Sequence, residues 1–146
     1  MSNDNNPCSP DVIFSYTRAQ AIADGVLVEL KEARHLGFKL QVVCTERVWN
    51  ALMASRGERE QSEREQSLGE TVREAFLLRA AFLAAKVKMA MERAGVPDPE
   101  PDRLDFYVRA AVADGEVKDV QLYMLIHPDD DGSFKPVGTI MFPDED

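Results

Sequence analysis

The chain has 146 residues, of which 45% are hydrophobic and 29% charged, and its formal net charge is −9. That length suits one domain with a substantial core, and that composition excludes a disordered, collagen-like or coiled-coil protein. No apolar run is long enough to span a membrane, and the polar start of the chain lacks the apolar segment of a secretory signal. Two cysteines, Cys8 and Cys44, are too few for a disulfide framework. We therefore expect a cytoplasmic protein with no membrane partner.

The negative charge is concentrated in the last third of the chain. Residues 1–97 contain 13 acidic and 13 basic side chains, whereas residues 98–146 contain 13 acidic and only 4 basic side chains. A field of that sign repels nucleic-acid phosphates and anionic lipids, so direct nucleic-acid binding is disfavoured. The same field attracts a basic groove on another protein, although an acidic excess also serves simple solubility.

The first part of the folded region, residues 13–97, is predicted to be mainly helical. Residues 1–12 hold too little apolar surface to offset the entropy of ordering, so we expect a disordered tail before a single domain at 13–146. Thr17 and Thr45 are suitable N-caps for short helices. The predicted elements here are a helix at 18–24, a strand at 26–30, helical turns at 31–36, a strand at 40–44 and a helix at 46–56.

A long helix is predicted at 70–94. Apolar residues recur at steps of four and seven from Val72 to Met91, and others broaden that stripe to most of the circumference. A helix that is apolar nearly all round must be covered on more than one side, so it is either the central helix of the domain or the contact of a homodimer. The polar stretch before it, 57–69, is either an exposed helix extension or a solvated connector.

The last part of the chain, residues 98–146, is predicted to be an acidic β-meander. Strands are predicted at 104–112, 117–127 and 137–142, with turns at 113–116 and 128–133. Alternation of apolar and polar residues gives each strand one face for the helices and one for solvent. The expected fold class is therefore α+β, with one long and several short helices packed on a three-stranded antiparallel sheet, and with 26–30 as a candidate edge strand.

Motifs of common enzymes are missing from the sequence, which has no glycine-rich phosphate loop, zinc signature or nucleophile elbow. Cys44 precedes a predicted helix N-terminus, as reactive thiols often do, but its apolar neighbours favour a buried structural cysteine. The run Asp129–Asp131 before Gly132 suggests a calcium-binding loop, but the residues around it do not match the ligand positions of an EF-hand. We therefore predict a protein that is not an enzyme, with no catalytic residue, no cofactor and no bound metal.

The second face of the meander is the candidate binding surface. Tyr107 and Tyr123 are expected to be cross-strand neighbours on it, with their rings toward solvent. Tyrosine and arginine dominate interface hot spots, although a plain solvated surface is the alternative. The predicted partner-binding residues are Asp105, Tyr107, Arg109, Asp119, Gln121, Tyr123, Asp129, Asp130 and Asp131.

The opening of the folded region, YTRAQAIADGVLV at 16–28, resembles a family of small uncharacterised proteins encoded on bacterial plasmids, integrated elements and phages. The resemblance continues in Gly37-Phe38, in Val43-Cys44-Thr45 and in the ending TIMFPDED at 139–146. It covers roughly residues 13–146, which is most of the chain.

This resemblance implies a mobile-element setting but brings no catalytic residue with it. Small proteins of that setting often counter host restriction or CRISPR defence, and several of them are acidic mimics of DNA. We therefore predict a protein that inhibits a host defence complex by binding its basic surface. The alternative is a structural or regulatory accessory protein of a plasmid or phage, acting as a homodimer through the helix at 70–94.

Overall fold

The structure, a computed structural model, describes residues 16–52, 63–111 and 117–145, and only the backbone of 63–68, 110, 111 and 117. The predictions made for the tail at 1–12, the helix end at 53–56, the polar residues 57–62 and the turn at 113–116 lie outside the described residues.

The described residues form three helices, one short 3₁₀ turn and five strands. In chain order they are α1 (Arg18–Ala23), β1 (Leu27–Glu29), the 3₁₀ turn (Lys31–Ala33), β2 (Gln41–Thr45), α2 (Glu46–Leu52), α3 (Glu63–Arg93), β3 (Arg103–Ala111), β4 (Val117–Pro128) and β5 (Pro136–Met141). The predicted helices and strands are confirmed within a few residues wherever they are described. α3 is longer than predicted, because the polar stretch before residue 70 is helical from 63 onward.

Side-chain caps and one glycine define the ends of the short helical segments. The Thr17 hydroxyl accepts from the N–H of Gln20 at 3.1 Å, and the Gln20 side chain accepts from the N–H of Thr17 at 2.9 Å. This reciprocal pair is a capping box, and it fixes the start of α1. Gly37 has a φ of +105°, and a Cβ there would lie 3.0 Å from the Phe82 ring. Both the backbone conformation and the available space therefore require glycine at this position.

The sheet is mixed, with five strands in the order β1-β2-β5-β4-β3. β2 and β5 run parallel, and the other neighbours run antiparallel. The α+β class is therefore confirmed, whereas the prediction of a three-stranded antiparallel sheet is wrong. The cause is that the short apolar segments β1 and β2 continue the sheet beyond β5. They satisfy backbone N–H and C=O groups that an edge strand at β5 would leave unpaired.

The hydrophobic core lies between α3 and one face of the sheet. Leu77, Leu78 and Ala81 of α3 are buried there. The strands contribute the buried side chains Val42, Cys44, Leu104, Phe106, Val108, Leu122, Met124 and Ile140. Full burial of one leucine contributes about 1.5–3 kcal/mol, so this layer is the main source of stability. α3 is thus the central helix, which was the first of the two roles expected for it.

The opposite face of the sheet is covered by α1 over β1, β2 and β5. Arg18 of α1 is only 6% exposed and reaches into this layer. Over β3 and β4 the same face is open among the residues that the structure describes, since Asp105, Tyr107 and Gln121 are exposed. The molecule therefore has one fully packed sheet face and one face that is only half covered.

Candidate functional site

The open half of the second sheet face contains most of the predicted binding residues. In the β3–β4 register, Tyr107 lies opposite Gln121 and Arg109 lies opposite Asp119, so all four share one face. Tyr107 is 63% exposed. The Arg109 guanidinium lies 3.7 Å from the Asp119 carboxylate, and both side chains are exposed. We name this surface the sheet patch, and it consists of Asp105, Tyr107, Arg109, Asp119 and Gln121.

Tyr123 lies on the predicted face of the sheet, but its side chain is buried and not exposed as predicted. It is 2% exposed, because the Arg103 guanidinium lies over its ring, 3.9 Å from the centroid. Its cross-strand partners are Asp105 and Met141, so it lies between two strands and is not opposite Tyr107. The prediction that Tyr107 and Tyr123 form a solvent-facing pair is therefore wrong. Strand alternation assigns a face but does not reveal that a neighbouring cation covers it.

The three aspartates of the β4–β5 connection lie beside α1 and not beside the sheet patch. The Asp130 carboxylate accepts from the backbone N–H of Arg18 at 2.8 Å. The Asp131 carboxylate accepts from the N–H of Ser133 at 2.9 Å, and the Ser133 hydrogen bonds lower the pKa of Asp131. With Asp129 they line a cavity of about 240 Å³ next to Arg18. At least two of these carboxylates therefore hold the connection in place as well as adding negative charge.

Side chains near the acidic end of the chain also bind it to the rest of the domain. The Asp144 carboxylate pairs with the Arg47 guanidinium at 2.7 Å. The Glu145 carboxylate accepts from the Thr45 hydroxyl at 2.9 Å and from the N–H of Phe142 at 2.7 Å. Part of the acidic excess of the last third thus binds the C-terminus to α2 and β2.

A buried polar network that the sequence did not indicate connects α1 to the parallel strands. The Arg18 guanidinium donates to the Gln41 side-chain oxygen at 3.1 Å, the Thr139 hydroxyl at 2.8 Å and the Gly138 carbonyl at 3.0 Å. Nε2 of His127 lies 3.0 Å from the same Thr139 hydroxyl. Burial lowers the pKa of Arg18, while the nearby carboxylates oppose that shift. Since every guanidinium nitrogen has a protein acceptor, we assign this network to holding α1 on the sheet.

Cys44 in β2 and Glu74 in α3 are two buried ionisable groups. Burial, with smaller effects of Glu74 and Glu145, raises the pKa of the Cys44 thiol to about 12. The thiol is therefore protonated at neutral pH, which is unfavourable for a nucleophile. Glu74 is 8% exposed and accepts from the N–H of Glu32 at 2.8 Å, and burial raises its pKa. Both groups are better explained as parts of the core.

Among the residues that the structure describes, no group of three or more His, Cys, Asp or Glu side chains is arranged to hold a metal ion. The described helices include none with the length and hydropathy of a membrane span.

A cavity of about 450 Å³ lies between the C-terminal half of α3, the segment 96–99 and the start of β3. Its wall is formed mainly by apolar side chains, among them Val87, Met91 and Leu104.

The outer side of α3 exposes large apolar side chains. The sequence analysis placed them in the apolar stripe of the helix but did not indicate which members of that stripe face solvent. They are Val72, Phe76, Leu83 and Val87, and each is more than half exposed. We name these four residues the α3 stripe.

Phe134, which follows the acidic turn, is another exposed aromatic residue, at 77%, and the sequence analysis missed it. Its only sequence signal is an aromatic residue in a polar turn.

The fold and these surfaces define a small α+β domain with two exposed candidate contact surfaces, the sheet patch and the α3 stripe. The chain belongs to a family of unknown function (DUF6573), whose model matches residues 4–146. No curated protein and no solved structure matches the chain.

Proposed function

We propose that this chain is a mobile-element protein that is not an enzyme and that binds and inhibits a host defence complex in the cytoplasm. The proposed target is a complex of the CRISPR or restriction type, and the proposed contact is between the sheet patch and a basic surface of that complex. The observation that carries this proposal is the open half of the sheet face, where Tyr107 is 63% exposed.

The chemistry of the sheet patch suits protein binding. An aromatic side chain with a polar tip, flanked by an arginine and by carboxylates, has the composition of an interface hot spot. The patch lies on two long paired strands, so the backbone that presents its side chains is already ordered before any partner binds. The net negative charge of the chain favours encounter with a basic partner.

The direct test is a plaquing assay on bacteria that carry one defined CRISPR or restriction system. Expression of the chain should raise phage plaquing efficiency, and Tyr107→Ala should remove most of that gain. Met89→Ala is the matched control, because Met89 is 50% exposed but lies on α3, away from the sheet patch. Unchanged plaquing with the wild-type chain, or full activity of Tyr107→Ala, would contradict the proposed docking.

A second candidate function is that of a homodimeric structural or regulatory accessory protein of a plasmid or phage. The observation that favours it is the α3 stripe, which the domain itself does not cover among its described residues. Homodimerisation and inhibition of a defence complex are compatible, since the α3 stripe and the sheet patch lie on different elements.

A further inference from the structure

Strand β3 is an edge strand of the sheet, and among the described residues only β4 pairs with it. The pairing is continuous over nine residues, from Arg103 to Ala111, whereas β1 at the other edge has three residues. Edge strands in proteins are usually short, bulged or covered, because their unpaired N–H and C=O groups pair readily with another chain. β3 is long and its register has no bulge, so it is the edge that is suited to accept a further strand.

The hydrogen-bonding pattern of β3 shows which residues face this open edge. The Ile126 N–H donates to the Asp102 carbonyl at 2.8 Å. Because successive residues of an antiparallel strand face the neighbouring strand alternately, the even-numbered residues of β3 bond to β4 and the odd-numbered residues face outward. Arg103 agrees, since its N–H donates to the Glu100 carbonyl at 3.1 Å and its own carbonyl accepts from Nζ of Lys88 at 2.7 Å. The next outward-facing residues along the strand are Asp105, Tyr107 and Arg109.

The outward backbone groups of Asp105, Tyr107 and Arg109 form a short open ladder, which we name the β3 edge. Each residue contributes one N–H donor and one C=O acceptor, and among the described residues none of these groups has a protein partner. Donors and acceptors at this spacing are matched by the backbone of an extended segment and not by a helix. The chemistry of the β3 edge therefore identifies its occupant as a strand.

A cavity beside the β3 edge offers a pocket for a side chain of such a strand. It is the cavity of about 450 Å³ beneath the C-terminal half of α3, and both Leu104 and Asp105 belong to its wall. Val87, Met91 and Val96 also line it and are 60%, 48% and 42% exposed. In an added strand, a residue opposite Leu104 points to the same side of the sheet as Leu104, which is the side of α3. An apolar side chain at that position covers the apolar wall of the cavity.

The charges at this end of the β3 edge favour a basic strand. The walls of the cavity and of a smaller one that shares Arg103 contain five carboxylates and two cations. Both cations already have carboxylate partners, since Lys88 pairs with Asp98 at 2.5 Å and Arg103 pairs with Asp105 at 3.1 Å. The three further carboxylates are those of Glu92, Glu100 and Asp102. A lysine or arginine of an added strand therefore enters an acidic environment.

We propose that the β3 edge binds an extended, basic peptide segment of a partner protein as a sixth strand of the sheet, with an apolar side chain of that segment in the 450 Å³ cavity. Backbone hydrogen bonds provide the affinity, and the alternation of apolar and basic side chains provides the selectivity. This binding does not depend on whether the partner belongs to a defence complex. It uses the backbone of Tyr107, whereas the proposed docking of the sheet patch uses the side chain.

A synthetic peptide of about seven residues, in which lysine and valine alternate, is long enough to span the β3 edge and tests the proposal on the full chain. Fluorescence anisotropy of the labelled peptide measures its dissociation constant. Methylation of the lysine backbone nitrogens should weaken binding by about tenfold or more, because it removes the donors that face β3 and keeps every side chain. A peptide with glutamate in place of lysine is the control for charge and should also bind more weakly.

Each of these comparisons has an outcome that contradicts the proposal. Absence of binding by the lysine peptide, or equal affinity for its methylated form, would overturn the addition of a strand. Equal affinity for the glutamate peptide would overturn the preference for a basic segment.

Amide hydrogen exchange, followed by NMR for each residue, locates the binding. In the free chain, the amides of Asp105, Tyr107 and Arg109 should exchange much faster than those of the even-numbered residues between them. The lysine peptide should slow the exchange of these three amides. Slow exchange in the free chain, or no change upon addition of the peptide, would show that the β3 edge is not the binding site.

Two pairs of variants separate the contributions of the backbone and the cavity. Tyr107→Pro removes one outward N–H and no bond to β4, so it should weaken peptide binding by about tenfold more than Tyr107→Ala does. Val87→Lys places a cation in the cavity wall and should weaken binding, whereas Met89→Lys, on the same helix but outside the cavity, should not. Equal affinities within either pair would contradict the corresponding contact.

Far-UV circular dichroism checks that the variants are folded. If Tyr107→Pro does not fold, the methylated peptide still tests the ladder on the wild-type chain. A failure of peptide binding leaves the plaquing assay unaffected, and an absence of any effect on plaquing leaves the peptide-binding result unaffected, so the two proposals are tested separately.

Discussion

Replacement of Arg18 by alanine is the sharpest test of how this fold is held together. The side chain is 6% exposed and makes three hydrogen bonds between α1 and the parallel strands, at 2.8, 3.0 and 3.1 Å. Arg18→Ala removes these bonds and leaves the Gly138 carbonyl and the Gln41 amide without that partner. A hydrogen bond to a charged group contributes about 1.5–3 kcal/mol, and relief of the buried guanidinium offsets part of the sum. We expect a net loss of about 3 kcal/mol.

Urea unfolding followed by circular dichroism measures that loss. With a slope of about 2 kcal/mol per molar urea, the midpoint should fall by roughly 1.5 M. Arg109→Ala is the control, because Arg109 is exposed and makes one ion pair of 3.7 Å, which is expected to contribute less than about 0.5 kcal/mol. If Arg18→Ala lowers the free energy of unfolding by less than about 1 kcal/mol, the network does not anchor α1 and the reasoning is refuted.

Two further predictions concern the buried side chains Glu74 of α3 and Cys44 of β2. Since burial raises the pKa of Glu74 in the folded state, the ionised carboxylate destabilises the fold as the pH rises from about 4. Glu74→Gln, which keeps an acceptor for the N–H of Glu32, should therefore raise the urea midpoint at pH 7 and leave it unchanged near pH 3; equal effects at both pH values would contradict this. Because the pKa of Cys44 is raised to about 12, its thiol in a Cys8→Ser variant should react with a disulfide reagent at pH 8 only upon unfolding. A fast reaction of the native protein would show that this thiol is accessible and ionised.

The local elements of this protein could be predicted from its sequence, because their causes lie within a few residues. The capping box of Thr17 begins α1 through atoms three residues apart. The alternation along β3 and β4 places Asp105, Tyr107 and Arg109 on one face, and the register confirms that face. The periodicity of α3 likewise identifies a helix with more apolar surface than one contact covers. The five residues of the sheet patch were therefore assigned to a common surface from the sequence alone.

The parallel pairing of β2 with β5 was decided only by the tertiary structure. These strands are about 100 residues apart in the chain, and no local signal specifies which edge a short apolar segment joins. The same long-range packing brings Arg18 to Thr139 and Arg103 over the ring of Tyr123. Alternation distinguishes the two faces of a strand, but burial depends on what packs above each face. Arg18, whose burial no sequence pattern indicated, is thus a buried anchor of α1, and Tyr123, which was predicted in solvent, is part of the interior.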